Sequence, residues 1–241
     1  MNKTAAKDKI IIALDVEDLG SAKKCAALLC GHVGAFKIGK QLFTHYGPEA
    51  LQLIHGLGGR VFLDLKFHDI PSTVAKASCE AARHGVFMFN MHALGGGAMM
   101  RQAAASVADL ARSLSAARPL LLAVTVLTSH GPEDLTPLGI SASLDELVIR
   151  LARLAQDAGM DGVVASPREI QAIKKECGKA FLVVTPGVRP KSADLNDQKR
   201  TMTPAEAVQA GADYIVIGRP VTEAPDPLAV VRSIVDELSA I

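Results

Sequence analysis

Along the chain, short runs of consecutive apolar residues alternate with longer stretches in which apolar and polar positions interleave at helical spacing. The short runs are too brief for helices and lack internal polar alternation, as expected of strands covered on both faces in a parallel sheet. Eight of them fall at 10–14, 35–38, 61–65, 86–91, 120–126, 162–165, 181–184 and 214–217. Each leads through one or two polar residues and a loop into an amphipathic segment.

The amphipathic segments carry helix punctuation. Ser166-Pro-Arg-Glu169 and Thr203-Pro-Ala-Glu206 each combine an N-cap hydroxyl, a proline at the first helical position and a glutamate able to complete a capping box. Ser143-Leu-Asp-Glu146 and Asp226-Pro227 are weaker versions. Gly31, Gly85, Gly159 and Gly211 mark helix ends, where a left-handed residue is needed. Ala158-Gly-Met-Asp161 and Ala210-Gly-Ala-Asp213 both precede a strand, a faint internal repeat. Eight β/α units without a linker or composition break predict an α/β fold, a closed (β/α)8 TIM barrel forming a single domain over 1–241. A doubly wound open sheet is the alternative.

Composition sharpens this only in part. A chain of 241 residues, 49% hydrophobic and 21% charged, has the size of one such barrel and apolar content for a large core. Lys and Arg total 26 against 25 Asp and Glu, a balance that gives no case for a nucleic-acid or membrane partner. Cys25, Cys30, Cys79 and Cys177 form no CxxC pair, which argues against a zinc site or disulfide framework. Buried free thiols in a reducing compartment are expected instead. Residues 1–9 are polar and lysine-bearing, with no apolar segment long enough for a signal peptide or span, so a cytoplasmic location is expected.

In such a barrel, chemistry gathers where the strands end at their carboxyl side. Those ends supply Asp15, Lys37, Asp64 with Lys66, His92, Thr125 with Thr128, Ser166, Thr185 with Arg189, and Gly218 with Arg219. The stretch 61–73 is the densest, and strand alternation points Asp64 and Lys66 to one side. Lys37 lies in an apolar strand where an unpaired ammonium would be costly, and Asp64 is its natural partner. The set suits an anionic ligand. Arg219 and the backbone N–H of Gly218 follow strand eight, where barrels of this kind hold phosphate, with Arg189 after strand seven. The polar connection 190–203, which contains Gln198, is expected to act as a lid. His92 is expected to be a hydrogen-bonded loop histidine, and Met99 and Met100 core or interface filler. The glycines at 95–97 follow the wrong strand for a dinucleotide fingerprint.

Taken in order, Leu14-Asp15, Phe36-Lys37-Ile-Gly39, Asp64-Leu-Lys-Phe-His-Asp-Ile-Pro-Ser-Thr73, Thr185-Pro-Gly-Val-Arg189 and Ile217-Gly-Arg-Pro220 resemble the orotidine 5'-phosphate decarboxylase family over essentially the whole chain. The resemblance implies decarboxylation of orotidine 5'-phosphate to UMP, without metal or cofactor. It assigns Asp15 and Lys37 to ribose hydroxyls and Lys66 to proton donation at C6, with Asp64 beside the departing carboxylate. It gives Thr128 the pyrimidine edge, and Gln198, Gly218, Arg219 and Arg189 the phosphate. It also implies a homodimer in which Asp69 and Thr73 reach into the partner's site. Hexulose-phosphate synthases and keto-gulonate-phosphate decarboxylases, which share the D-x-K-x-x-D pattern and use magnesium, are the competing enzymes. A non-catalytic binder of phosphate ligands is the third possibility.

Overall fold

The computed structural model describes residues 1–190 and 202–241. Eight parallel strands close into one barrel in sequence order: β1 Ile10–Ala13, β2 Ala35–Gly39, β3 Val61–Phe67, β4 Met88–His92, β5 Leu120–Val124, β6 Gly162–Val164, β7 Leu182–Thr185 and β8 Tyr214–Ile217. β8 pairs back onto β1, so the TIM barrel of the sequence reading is closed and the open sheet is excluded.

Every strand lies within a few residues of its expected place, and the shifts are informative. β5 stops at Val124, although the apolar run continues to Val126. Val126 is buried against the core and also lines the cavity above the barrel, so its hydrophobicity reports a pocket wall and not a longer ladder. β3 runs two residues beyond its expected end, to Phe67, through a break in its register with β4. Lys3–Asp8 forms a short helix, capped by the Asn2 side chain, where the sequence offered only a polar stretch.

Strand alternation divides the core in two. Ile11, Ala13, Ala35, Phe62, Met88, Leu122, Val184 and Val216 pack together inside the barrel. The intervening residues, such as Ile10, Ile12, Phe36, Leu63 and Phe89, belong to the larger cluster under the helices. Helix punctuation is as expected at three of the four capping signals, while Ser166 makes no side-chain cap bond and leads into a 3-10 turn, Pro167–Glu169. Ser143, Thr203 and Asp226 each accept a backbone N–H of their helix's first turn. Gly31, Gly85, Gly159 and Gly211 all adopt positive φ. Met99 and Met100 are core residues on the helix Gly96–Leu114. The cysteines depart from expectation: all four are free thiols, but only Cys177 is buried. Cys25 and Cys79 are partly exposed on helices, and Cys30, just past a helix end, donates its thiol to the Leu57 carbonyl at 2.9 Å.

The repeat at 158–161 and 210–213 acquires a physical meaning. Asp161, just before β6, accepts the Leu121 backbone N–H at 2.7 Å and pairs with Arg118 at 2.7 Å. Asp213, just before β8, accepts the Val183 N–H at 2.8 Å and pairs with Lys174 at 2.7 Å. Each carboxylate thus ties the start of the preceding strand to its own at the amino-terminal face, the end of a barrel that serves stability and not chemistry. Replacing Asp213 with alanine leaves the Val183 N–H and one lysine bond unmade, so about 1–3 kcal/mol should be lost in urea denaturation. Asp109→Ala, which breaks an exposed pair with Arg112, should stay within roughly 0.5 kcal/mol of the parent.

Candidate active site

The inward alternation that places Ala35, Phe62 and Met88 inside the barrel puts Lys37, Asp64 and Asn90 two residues further up the same strands. Polar residues thus replace apolar ones one layer below the carboxyl-terminal mouth. Lys37 and Asp64 are each 9% exposed and Asn90 is fully buried. None could stay there without partners.

The partners are close. Lys37 Nζ lies 2.9 Å from Asp15 Oδ1 and 3.3 Å from Asp64 Oδ2, and Lys66 Nζ lies 2.6 Å from Asp64 Oδ1. Lys37 therefore has two carboxylate partners where the sequence suggested one. Gly39 makes room for this: a side-chain carbon there would sit 3.1 Å from Asp15 Oδ1 and 3.3 Å from Lys37 Nζ. Burial favours a neutral Asp64, but Lys37, Lys66 and a hydrogen bond from Asn90 outweigh it and hold the carboxyl below its usual range. Burial likewise disfavours the Lys37 ammonium, and Asp64 and Asp15 more than restore it, raising its pKa.

Simple alternation does not bring Lys66 to Asp64. Leu63 pairs with Phe89 and Phe67 with Met91, so four residues of β3 span two of β4. Inside this bulge Lys66 takes φ 54, one of two non-glycine residues with positive φ among those described. Its backbone N–H leaves the ladder and is taken at 2.8 Å by the Asn90 side chain. Sequence reasoning passed over Asn90. Its signal was a lone amide inside an otherwise apolar strand, which must find partners if buried.

Above this layer opens a cavity of about 450 Å³. Asp15, Lys37, Asp64, Lys66, Thr128, Arg189, Gly218 and Arg219 all line it, with Val124, Val126, Val164 and Val216 as apolar wall. Other expected mouth residues serve the frame instead. Thr125 and Thr185 donate their hydroxyls to the Val164 and Ala165 carbonyls, and the Ser166 backbone N–H goes to Glu169. Asp69 and Thr73 are exposed outside the cavity, with Asp69 accepting the Ile70 N–H at 2.6 Å. Gln198 and most of the expected lid lie outside the described residues. Among the described residues, no group of three or more His, Cys, Asp or Glu side chains is placed to hold a metal ion, and no helix is long and apolar enough to cross a membrane.

His92 ends β4 beside the lysine cluster and was expected to be a loop residue. Its ring is half-buried and packs against His68, centroids 5.5 Å apart. Burial, then His68, Lys40 and Lys66, push its pKa from 6.5 down to about 4.

Comparison with known proteins gives a consistent result. Residues 8–234 match the model of the family described as orotidine 5'-phosphate decarboxylase / HUMPS. The chain is 56% identical over its full length to the orotidine 5'-phosphate decarboxylase of Pelobacter propionicus, covering 99% of that protein. It is 55% identical to that of Geobacter sulfurreducens, with both chains fully covered. The crystal structure of the orotidine 5'-phosphate decarboxylase of Lactobacillus acidophilus superposes with a TM-score of 0.84 at 35% identity, over 95% of this chain and 98% of that one.

The neutral His92 makes a pH signature. Between pH 6.5 and about 4 the unfolded chain binds a proton at this histidine that the folded chain does not. Stability should therefore fall as pH drops through that window, and His92→Gln should flatten that part of the curve in thermal denaturation. An unchanged slope would show that other groups govern it.

Proposed function

The chain belongs to the orotidine 5'-phosphate decarboxylase / HUMPS family, and on that premise we propose that it converts orotidine 5'-phosphate to UMP and CO2, the last step of UMP synthesis. The observation that carries the reading is Asp64, held between two ammonium groups 3.3 and 2.6 Å away at the floor of the cavity. Full-length relatives at 52–56% identity, named for this activity and not for the sugar-phosphate reactions, support the choice within the family.

The chemistry follows from that charge arrangement. Breaking the bond between C6 and the carboxylate leaves the electron pair in an sp2 orbital of C6, where the pyrimidine ring cannot delocalise it. Stabilisation must then be electrostatic and organised in advance. In this reading Lys66 stands beside C6, stabilises the developing carbanion and delivers its proton, to be reprotonated from solvent after UMP leaves. Asp64 holds that ammonium and lies next to the departing carboxylate, so repulsion in the ground state is relieved as neutral CO2 departs. Asp15 and Lys37 bind ribose hydroxyls and Thr128 the pyrimidine edge. Gly218, Arg219 and Arg189 take the phosphate, together with Gln198. Binding energy from this remote dianion serves to hold the reacting group in place.

Residues 1–241 act as one catalytic barrel domain in the cytoplasm, requiring neither metal nor cofactor. The active form is a homodimer, with Asp69 and Thr73 of each subunit completing the other's site. Their exposure at the rim, beside Ile70 at 65% exposed, fits a surface that a second copy would cover.

Purified protein should consume orotidine 5'-phosphate in an absorbance assay, with activity unaffected by EDTA. Turnover no faster than buffer would refute the assignment, and inhibition by the chelator would favour the magnesium-dependent sugar-phosphate branch. Lys66→Ala should lower kcat by at least roughly 100- to 1000-fold, the scale of removing one preorganised charge-stabilising group, while UMP binding stays measurable by calorimetry. A shared site makes a further demand: mixing inactive Asp64→Ala and Asp69→Ala proteins should restore activity once subunits exchange. No recovery after demonstrated exchange would mean that each site is built from one chain.

A further inference from the structure

We propose that Asn90 is a positioning residue for the reacting pair, its amide fixing both the carboxylate of Asp64 and the backbone of Lys66. The inference rests on the decarboxylase reading above. Asn90 Nδ2 donates to Asp64 Oδ1 at 2.7 Å, and its Oδ1 accepts the Lys66 backbone N–H at 2.8 Å. One planar group thus grips the acid by its side chain and the base by its main chain.

Three features make this more than a satisfied core amide. First, the Lys66 backbone is left-handed at φ 54, a conformation that is strained for a residue with a side chain and persists only where surroundings impose it. The register break between Leu63 and Phe67 deprives Lys66 of a ladder partner on β4, and the Asn90 side chain supplies one from that same strand. Second, Asp64 Oδ1 receives Asn90 and Lys66 at 2.7 and 2.6 Å, while Oδ2 faces Lys37 at 3.3 Å. Without the amide, the carboxylate could rotate and exchange its oxygens between the lysines. Third, Asn90 is fully buried and its two bonds use one donor and one acceptor, so a flipped amide would face like against like on both sides. Its orientation is unique, and so is that of the groups it holds.

Asn90 is fully buried and does not line the cavity. Its loss should misplace Lys66 relative to C6 while leaving the phosphate and ribose contacts intact, which separates kcat from binding. The test compares parent, Asn90→Leu, close to isosteric and with neither bond, and Asn90→Asp, which keeps the acceptor for Lys66 and loses the donor to Asp64. Steady-state kinetics on orotidine 5'-phosphate, UMP affinity by calorimetry and thermal unfolding are read together. In either folded variant kcat should fall roughly 10- to 100-fold, with the UMP Kd changed by less than about threefold. Should the leucine variant not fold, the aspartate variant carries the same measurement, and Asn90→Ala replaces it if needed. Parental kcat in a folded variant overturns the proposal. So does a kcat loss matched by an equal loss of UMP binding, which would make Asn90 a general structural residue. An inactive parent would instead refute the decarboxylase reading itself.

Discussion

A carboxylate almost out of reach of solvent, Asp64, with an ammonium on each side is the interaction on which the site is built. Each of these charges would be expelled or neutralised if buried alone. Together they form a continuous chain from Asp15 through Lys37 and Asp64 to Lys66, each ion within 3.3 Å of an opposite charge. The sign of the perturbations agrees: Asp64 is held ionised against burial, and Lys37 is held protonated against it. Both groups keep those states across the whole physiological range. Lys66 is the end member of the chain and the only one of the two lysines with a single carboxylate partner, which leaves its other donors for whatever fills the cavity.

The barrel makes this possible by stacking its interior. Ala35, Phe62 and Met88 form a dry floor, and Lys37, Asp64 and Asn90 follow directly above them on the same strands. Low-dielectric walls on most sides strengthen each charge pair and exclude the water that would otherwise compete. Counting the cavity's side chains, Lys37, Lys66, Arg189 and Arg219 face Asp15, Asp64 and Glu223, four positive charges against three. The internal pairs consume two of each. What remains is Arg189, Arg219 and Glu223, a net positive charge of the sign that the proposed phosphate contact requires.

Much of this was legible before any coordinates. Strand number, helix caps and the convergence of Asp15, Lys37, Asp64, Lys66, Arg189 and Arg219 all follow from local rules, because a parallel barrel gives every strand end the same destination. What the sequence hid was non-local. The bulge at Lys66 depends on how β3 and β4 slip against each other, and period-two alternation, which treats the strand as regular, reached the right neighbours for an incomplete reason. Thr125 and Thr185 sit where ligand contacts would be placed, yet their hydroxyls are spent on neighbouring backbone carbonyls, a choice that only packing reveals.

The two ends of the barrel use the same residue types to opposite effect. At the amino-terminal face Asp161 and Asp213 satisfy backbone N–H groups of the adjacent strand and pair with Arg118 and Lys174, so their charge is used up inside the fold. At the carboxyl-terminal face Asp15 and Asp64 are matched instead by Lys37 and Lys66, which line a cavity. At β3 a side chain serves the backbone at this face too, with Asn90 standing in for a missing ladder partner. That substitution of a side chain for a ladder bond lets a strand carry a left-handed lysine beside its end, and it joins the pairing of β3 with β4 to the geometry of Asp64 and Lys66.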